Sequence, residues 1–186
     1  GLPMGGFTCI GSLSSNYDGK GRTYAVPSSH ASLIAIGDVV TETGTADANG
    51  DAQVDVATAA TIVTGVIVGI KPDYSTEALS DIKIAASTAG TVIVNCDPNA
   101  EYEVDVSNGP LVLADVGLNA NLVATAATTS GGLTTSNMTL NATGVATTAT
   151  LQFRIVRLLT SAAGVLGGRA VVRVNKSINN TGGTGI

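Results

Sequence analysis

Aromatic residues are scarce in this chain of 186 residues, which has two Phe, four Tyr and no Trp. A core with so few rings must consist mainly of Val, Ile, Leu and Ala, which the 44% hydrophobic content can supply. Flat surfaces for stacking on sugars are also few, which weighs against a carbohydrate-binding module. Histidine occurs only once, as His30 in a loop-like segment, so a His-rich metal centre is excluded and acid–base catalysis has no evident partner.

Cysteine is also rare, with only Cys9 and Cys96. The first residues lack the basic and apolar regions of a secretory signal, so we expect two reduced thiols rather than a disulfide between them. The longest apolar run, residues 62–70, is interrupted by Thr64 and is too short to cross a bilayer. The sequence therefore predicts no membrane partner.

Charged residues make up only 12% of the chain, and acidic residues are missing from its last 71 positions. Residues 1–115 carry a net charge of −10, and residues 116–186 carry +5 from basic residues alone. The total of −5 weighs against a nucleic-acid partner. Two interpretations are open: the halves interleave and neutralise each other, which we favour, or the basic strands face an acidic neighbour.

Apolar residues recur with a period of two, which predicts an all-β fold. Val, Ile and Thr alternate with polar residues in runs such as 53–57, 64–70, 91–95, 101–106 and 169–174, bounded by Gly, Pro, Asn and Asp. The run at 32–40 contains a Gly-Asp interruption. Short strands about ten residues apart favour an antiparallel β-sandwich or barrel, jelly-roll-like in architecture.

The two ends of the chain differ from its middle. Residues 1–26 are rich in Gly and predict an extended N-terminal arm that orders against a partner and is dispensable for folding of the core. Residues 177–186 are rich in Asn, Gly and Thr and predict a flexible tail. The β-domain is expected to span residues 27–176.

No chemical motif yields a catalytic, cofactor-binding or metal-binding residue. Residues 47–55 space oxygen ligands as a calcium loop does, but Ala52 and Thr58 stand where such a loop needs Gly and Glu, so a polar hairpin turn is favoured. Glu101, Glu103 and Asp105 share one strand face, and a solvated face is the favoured interpretation. An enzyme that uses these carboxylates is the third-ranked function hypothesis. We therefore predict no enzyme and no cofactor.

Read as a series of motifs, the chain resembles the capsid cement, or decoration, proteins of tailed phages, in particular short-tailed ones. The order and number of several segments carry this resemblance, among them NYDGKGRTYAVPSS at residues 16–29 and TVIVNCDPNAEYEV at residues 91–104. The other segments, in order, are residues 36–40, 65–69, 115–122, 147–158 and 171–175. The chain departs from the pattern at residues 79–87 and after Asn175, which are regions that could alter the neighbours it touches.

The resemblance implies a β-sandwich or barrel that is made in the bacterial cytoplasm and bound to the outer surface of the virion head. It implies contact with the major capsid protein and with sister subunits, as a homodimer or homotrimer, and a shell that better withstands internal DNA pressure. We expect the arm and the basic C-terminal strands to make these contacts. The predicted interface residues are Phe7, Tyr17, Arg22, Tyr24, Arg154, Arg157, Arg169 and Arg173. A carbohydrate- or receptor-binding module of a virion appendage is the second hypothesis.

Overall fold

Runs of β-branched residues form strands along most of the chain. The computed structural model describes residues 5–13, 21–71, 82–178 and 182–186. Within these ranges the all-β prediction is confirmed, and the helical content is one 3-10 turn at Leu113–Asp115. The strands are β1 (Thr8–Ser12), β2 (Arg22–Val26), β3 (Val39–Ala46), β4 (Ala52–Val56), β5 (Gly65–Ile70), β6 (Gly90–Asn95), β7 (Ala100–Ser107), β8 (Asn119–Ala120), β9 (Leu122–Val123), β10 (Thr128–Ser130), β11 (Leu133–Thr135), β12 (Thr139–Asn141), β13 (Phe153–Thr160) and β14 (Leu166–Val174).

Five strands close into a small barrel in the order β2, β4, β3, β5, β6. All neighbouring pairs are antiparallel except β2 with β4, which is parallel. Alternate side chains, such as Tyr24 and Val26 of β2 and Val92 and Val94 of β6, are buried in one hydrophobic cluster. So few strands enclose only enough space for side chains, and the barrel interior is therefore a packed core.

A seven-stranded sheet forms the second part of the fold, in the order β8, β13, β14, β7, β12, β9. Strand β1 also pairs with β7, alongside residues 100–103, and β12 runs parallel to the far end of the same strand. The inward side chains of the long strands include Tyr102, Val104, Phe153 and Val172, all fully buried. β10 and β11 form a separate two-stranded hairpin.

The barrel and the large sheet share a continuous apolar junction. Val39 and Val66, from barrel strands β3 and β5, belong to the same buried cluster as Leu140 and Phe153 of the sheet. At this junction the Val39 amide donates a hydrogen bond to the thioether sulfur of Met138, over 3.1 Å. Neighbouring residues on a strand point to opposite faces. Strand β3 therefore contributes side chains both to the core inside the barrel and to the core of the large sheet.

The described residues of the predicted N-terminal arm are part of the fold, and residues 1–4 and 14–20 lie outside the described ranges. Residues 8–12 form β1 of the large sheet, and residues 22–26 form β2, which closes the barrel between β4 and β6. The segment RTYAV carries a β-branched and aromatic alternation that its Gly-rich surroundings masked. The core is therefore not independent of residues 22–26, which corrects the expectation of a dispensable arm.

The described end of the predicted tail also packs against the body. The Gly185 amide donates to the Thr147 carbonyl over 2.9 Å, and the Ile186 amide donates to the Gly117 carbonyl over 3.1 Å. The Asn119 side chain donates to the Gly183 carbonyl over 2.9 Å. Backbone groups of residues 183–186 thus find partners in β8 and in the loops beside it, whereas the composition had predicted a loose tail.

Candidate functional site: a charged face of the large sheet

The face of the large sheet that points away from the core carries most of the described charges of strands β7, β13 and β14. Because successive side chains on a strand alternate, the burial of Tyr102 and Val104 turns the residues between and beside them outward. The register sets Arg173 opposite Glu101 and Arg169 opposite Asp105. We call this surface the charged face; its members are Glu101, Glu103, Asp105, Arg154, Arg157, Arg169 and Arg173.

Arg169 is neutralised locally by two acids of β7. Its Nη1 lies 2.6 Å from Glu103 Oε1, and its Nε donates to Asp105 Oδ1 over 2.9 Å. The acidic and basic halves of the sequence therefore interleave here, which confirms the favoured interpretation for this residue. Since all three side chains are partly exposed, each pair contributes only about 0–1 kcal/mol to stability.

Arg154 and Arg173 face each other across β13 and β14 as register partners. Arg154 donates through Nε to Asn119 Oδ1, over 3.4 Å, and through Nη2 to the Thr184 carbonyl. Arg173 has no carboxylate within ion-pair distance among the described residues. Both guanidinium groups line a cleft of about 210 Å³ together with Asn99, Asn175 and Gly183.

Arg157 reaches the charged face through an irregularity in β13. Simple alternation from Phe153 and Ile155 would place it on the core side, but the register with β14 shifts between Ile155 and Arg157. A β-bulge of this kind redirects the side chains that follow it. Arg157 is therefore exposed and lies opposite Val171, which itself is buried beneath the charged layer.

The predicted interface residues of the N-terminal region divide between core and surface. Phe7 and Tyr24 are 2% and 1% exposed, so neither presents a contact surface to a partner, which differs from the prediction. Phe7 stacks on Phe153 at 4.7 Å between ring centroids, whereas Tyr24 lies inside the barrel and donates to Glu42 over 3.1 Å. Burial raises the pKa of the Tyr24 phenol.

Arg22 is the described arm residue that remains a surface candidate. It is exposed, and its guanidinium carbon lies 5.7 Å from the centroid of the Tyr24 ring. This is a cation–π distance, which fixes the guanidinium over the barrel wall. Tyr17, the fourth predicted residue of this region, lies outside the described residues.

Asp38 is a buried acid that the sequence interpretation treated only as a strand interruption. Its carboxylate accepts hydrogen bonds from the Ser136 hydroxyl, over 2.5 Å, and from the Ala35 amide, over 2.9 Å. Burial raises the pKa of Asp38 to about 6, and the two hydrogen bonds oppose this shift. The adjacent Gly37 has a φ of 96°, so the Gly-Asp interruption marks a turn that aims the acid inward.

An apolar cavity of about 300 Å³ lies near Asp38, between the N-terminal segment and the barrel. Phe7, Cys9, Ile36 and Ile67 line it, together with Ser136. Ser136 is committed to Asp38 by its hydrogen bond, and no histidine lines the cavity. This arrangement offers a small apolar recess rather than an activated nucleophile.

The remaining sequence candidates have structural roles. Asp47 caps the β3–β4 hairpin by accepting from the amides of Asn49 and Asp51, over 2.9 and 2.8 Å. His30 is buried, with its ring nitrogens 2.8 Å from the carbonyl oxygens of Ser32 and Thr88. Among the described residues no group of three or more His, Cys, Asp or Glu is placed to hold a metal.

Cys9 and Cys96 are free thiols and are partly buried, as expected for reduced cysteines. Burial raises the pKa of each thiol above its ordinary value. Little thiolate is therefore present near neutral pH, and both cysteines are weak nucleophiles. In the ranges that the structure covers, no helix has the length and apolar character needed to span a bilayer.

Comparisons of the chain with family models, curated proteins and solved structures give no match.

Proposed function

We propose that this chain is a non-enzymatic structural protein of a phage virion, a capsid cement protein that binds the outer surface of the head. In this role it bridges neighbouring major capsid proteins and stabilises the shell against internal DNA pressure. The sequence support is the ordered series of segments that resembles cement proteins, from residues 16–29 to residues 171–175. The structural observation that carries the proposal is an apolar patch that the chain leaves uncovered.

That patch lies where the segment before the 3-10 turn meets the β13–β14 hairpin. The Leu111 amide donates to the Gly167 carbonyl over 3.0 Å, which holds the two segments side by side. We call the exposed apolar side chains of these segments the apolar tip: Val112, Leu113, Val165 and Leu166. Leu113 is 76% exposed, an arrangement that is typical of a surface that becomes buried in an assembly.

Burial of the apolar tip would contribute substantially to attachment. Each square ångström of apolar surface removed from water is worth about 25 cal/mol, less the cost of association. A cement protein repeats such a contact at many equivalent positions of the shell, and any contact with sister subunits adds avidity. Modest contacts per subunit are therefore sufficient, which fits a patch of four side chains.

The charged face supports the same proposal through orientation. Arg157 and Arg173 lack a described carboxylate partner, and both point away from the core. Complementary charge on a neighbouring protein would fix how the subunit sits more than how tightly it binds. The basic strands thus remain the expected contact with the major capsid protein or a sister subunit in a homodimer or homotrimer.

The second hypothesis, a carbohydrate- or receptor-binding module, has less support from the described side chains. Phe7, Tyr24, Tyr102 and Phe153 account for four of the six aromatic residues, and all are at most 2% exposed. Sugar recognition by ring stacking needs exposed rings. No binding to a glycan array is expected.

Reconstitution on purified heads tests the proposal. The protein is added to heads that lack it, and occupancy is measured by cosedimentation and by electron microscopy. We expect stoichiometric binding and heads that resist heating better. Leu113→Ser should weaken the affinity for heads about tenfold or more, as loss of about 1.5–3 kcal/mol of side-chain burial predicts, so occupancy is compared at protein concentrations near the dissociation constant.

Ile62→Ser is the matched control, because Ile62 is 45% exposed but lies outside the apolar tip. Its occupancy should equal that of the unchanged protein. Complete failure of the unchanged protein to bind heads would overturn the cement function, whereas equal loss in both variants would overturn only the role of the tip.

A further inference from the structure

The cleft between Arg154 and Arg173 has a charge arrangement that the fold itself does not explain. The two arginines are register partners on adjacent antiparallel strands. Like charges directly opposite each other destabilise a sheet. The outward position of these two side chains requires only a polar residue, so the fold does not require arginine at either one. A group with negative charge held between the two guanidinium groups would offset this repulsion.

No carboxylate of the described residues forms an ion pair with either guanidinium at the cleft. Arg169 takes Glu103 and Asp105 as its partners, further along β14. Glu101 is the register partner of Arg173 but lies outside ion-pair distance of its guanidinium. The Arg173 donors are therefore left for a ligand.

The Asn175 side chain on the cleft wall is already satisfied. The Asn175 side chain donates to the carbonyls of Ala149 and Leu151, both over 3.0 Å, and accepts from the Gly183 amide over 2.8 Å. Arg154 uses two of its five N–H donors on Asn119 and Thr184 and keeps three. This part of the wall is thus held in place, and the charged donors that remain free belong to the two guanidinium groups.

We infer that this cleft is an oxyanion-binding site in which Arg154 and Arg173 together hold a ligand with at least two acceptor oxygens. A volume of about 210 Å³ accommodates a carboxylate or an inorganic phosphate. Guanidinium groups bind both through paired, charge-assisted hydrogen bonds, which chloride cannot reproduce. The site does not depend on the proposed function, although an acidic side chain of a neighbouring protein is one natural source of the ligand.

Titration of the full chain with inorganic phosphate and with acetate, each against chloride at equal ionic strength, tests the site. Binding is followed by the NMR signals of the arginine Nε–H groups and by the melting temperature. We expect saturable shifts at Arg154 and Arg173 and a rise in melting temperature. Response to both anions indicates the shared oxyanion chemistry, whereas response to phosphate alone or to acetate alone identifies which source the site accepts.

Three variants make the test specific. Arg173→Gln should weaken binding about tenfold or more, because a hydrogen bond to a charged group is worth about 1.5–3 kcal/mol. Glu101→Gln should strengthen it, because a neighbouring negative charge is removed. Arg157→Gln removes a positive charge from the same face outside the cleft and should leave binding unchanged.

Arg173→Lys serves as a further variant that keeps the charge but loses the planar fork, and it should bind with intermediate affinity. Equal weakening of anion binding by Arg157→Gln and Arg173→Gln would overturn the inference, because the anion would then respond only to the total positive charge of the face and not to the cleft. Absence of any saturable shift in the unchanged protein would overturn it as well.

Discussion

The hydroxyl of Ser136 donates a 2.5 Å hydrogen bond to the carboxylate of Asp38, across 98 positions of sequence. Asp38 ends the turn that leads into barrel strand β3, and Ser136 lies between β11 and β12 of the other part of the fold. Both side chains are almost completely buried. This bond therefore joins the barrel to the large sheet by a polar contact inside an otherwise apolar junction.

The first prediction concerns pH and Asp38. Its pKa is about 6 in the fold and 3.8 as the ordinary value, so between these pH values the folded state binds more protons than the unfolded state. Stability must then decrease as pH rises through this window, by about 3 kcal/mol at most. Asp38→Asn removes the titrating group and with it this loss of stability. From pH 4 to pH 7 the unfolding free energy of the unchanged protein should therefore fall relative to that of the variant.

Urea unfolding of both proteins at several pH values measures this difference. The Asp38→Asn variant is expected to be the less stable of the two at pH 4, because its amide nitrogen cannot accept from the Ala35 amide as the carboxyl group does. A difference that stays constant from pH 4 to pH 7 would show that Asp38 does not titrate in this range.

Strand periodicity predicted which side chains of the large sheet point outward, but not what they meet. Alternation over residues 101–106 set Glu101 and Glu103 on one face, as observed. The partner strand β14 lies more than sixty residues away, and sequence periodicity carries no information on such pairing. Local composition also failed at Tyr24, because surrounding glycines suggested an arm where long-range pairing forms a barrel strand.

Arg169 provides a prediction about the charged face. Arg169→Gln removes both ion pairs to β7 and should destabilise the fold by about 0.5–1 kcal/mol at low salt, with a smaller effect at high salt. Arg157→Gln is the matched control, because it removes an exposed arginine that has no described ion pair. Chemical unfolding at two salt concentrations should separate the variants, and equal losses would mean that the pairs add nothing beyond general charge.

Gly167 allows a test of close packing beneath the apolar tip. Its φ is 81°, and a Cβ there would lie 2.0 Å from the Leu111 carbonyl oxygen. Gly164 has nearly the same φ, 80°, with open space around a Cβ. Gly164→Ala should cost about 1 kcal/mol for the left-handed backbone alone, and Gly167→Ala should cost several times more. Similar losses of stability in thermal unfolding would show that the 111–113 segment shifts without cost.

Gln152 gives the sharpest prediction for the large sheet, because its buried side chain satisfies three backbone groups. Its Nε2 donates to the carbonyls of Thr58 and Thr61, over 2.8 and 3.1 Å, and its Oε1 accepts from the Leu122 amide over 3.0 Å. Gln152→Leu keeps the size of the side chain but removes the acceptor of the buried Leu122 amide and a donor to the Thr61 carbonyl, whereas the Thr58 carbonyl keeps the Thr61 amide and hydroxyl as donors. Since a buried amide left unpaired costs about 1–3 kcal/mol, we expect a loss of about that size in urea unfolding.

Gln152→Glu distinguishes lost hydrogen bonds from altered packing, because its shape is unchanged. A carboxylate at this position would face two carbonyl oxygens without a proton to donate, whereas the protonated acid can still donate to one of them. The variant should therefore be closer to the unchanged protein at pH 4 than at pH 7. Gln53→Leu, in the exposed part of the β3–β4 hairpin, should change stability little at either pH. If Gln152→Glu shows no pH dependence beyond that of the unchanged protein, the side chain does not hold these carbonyls.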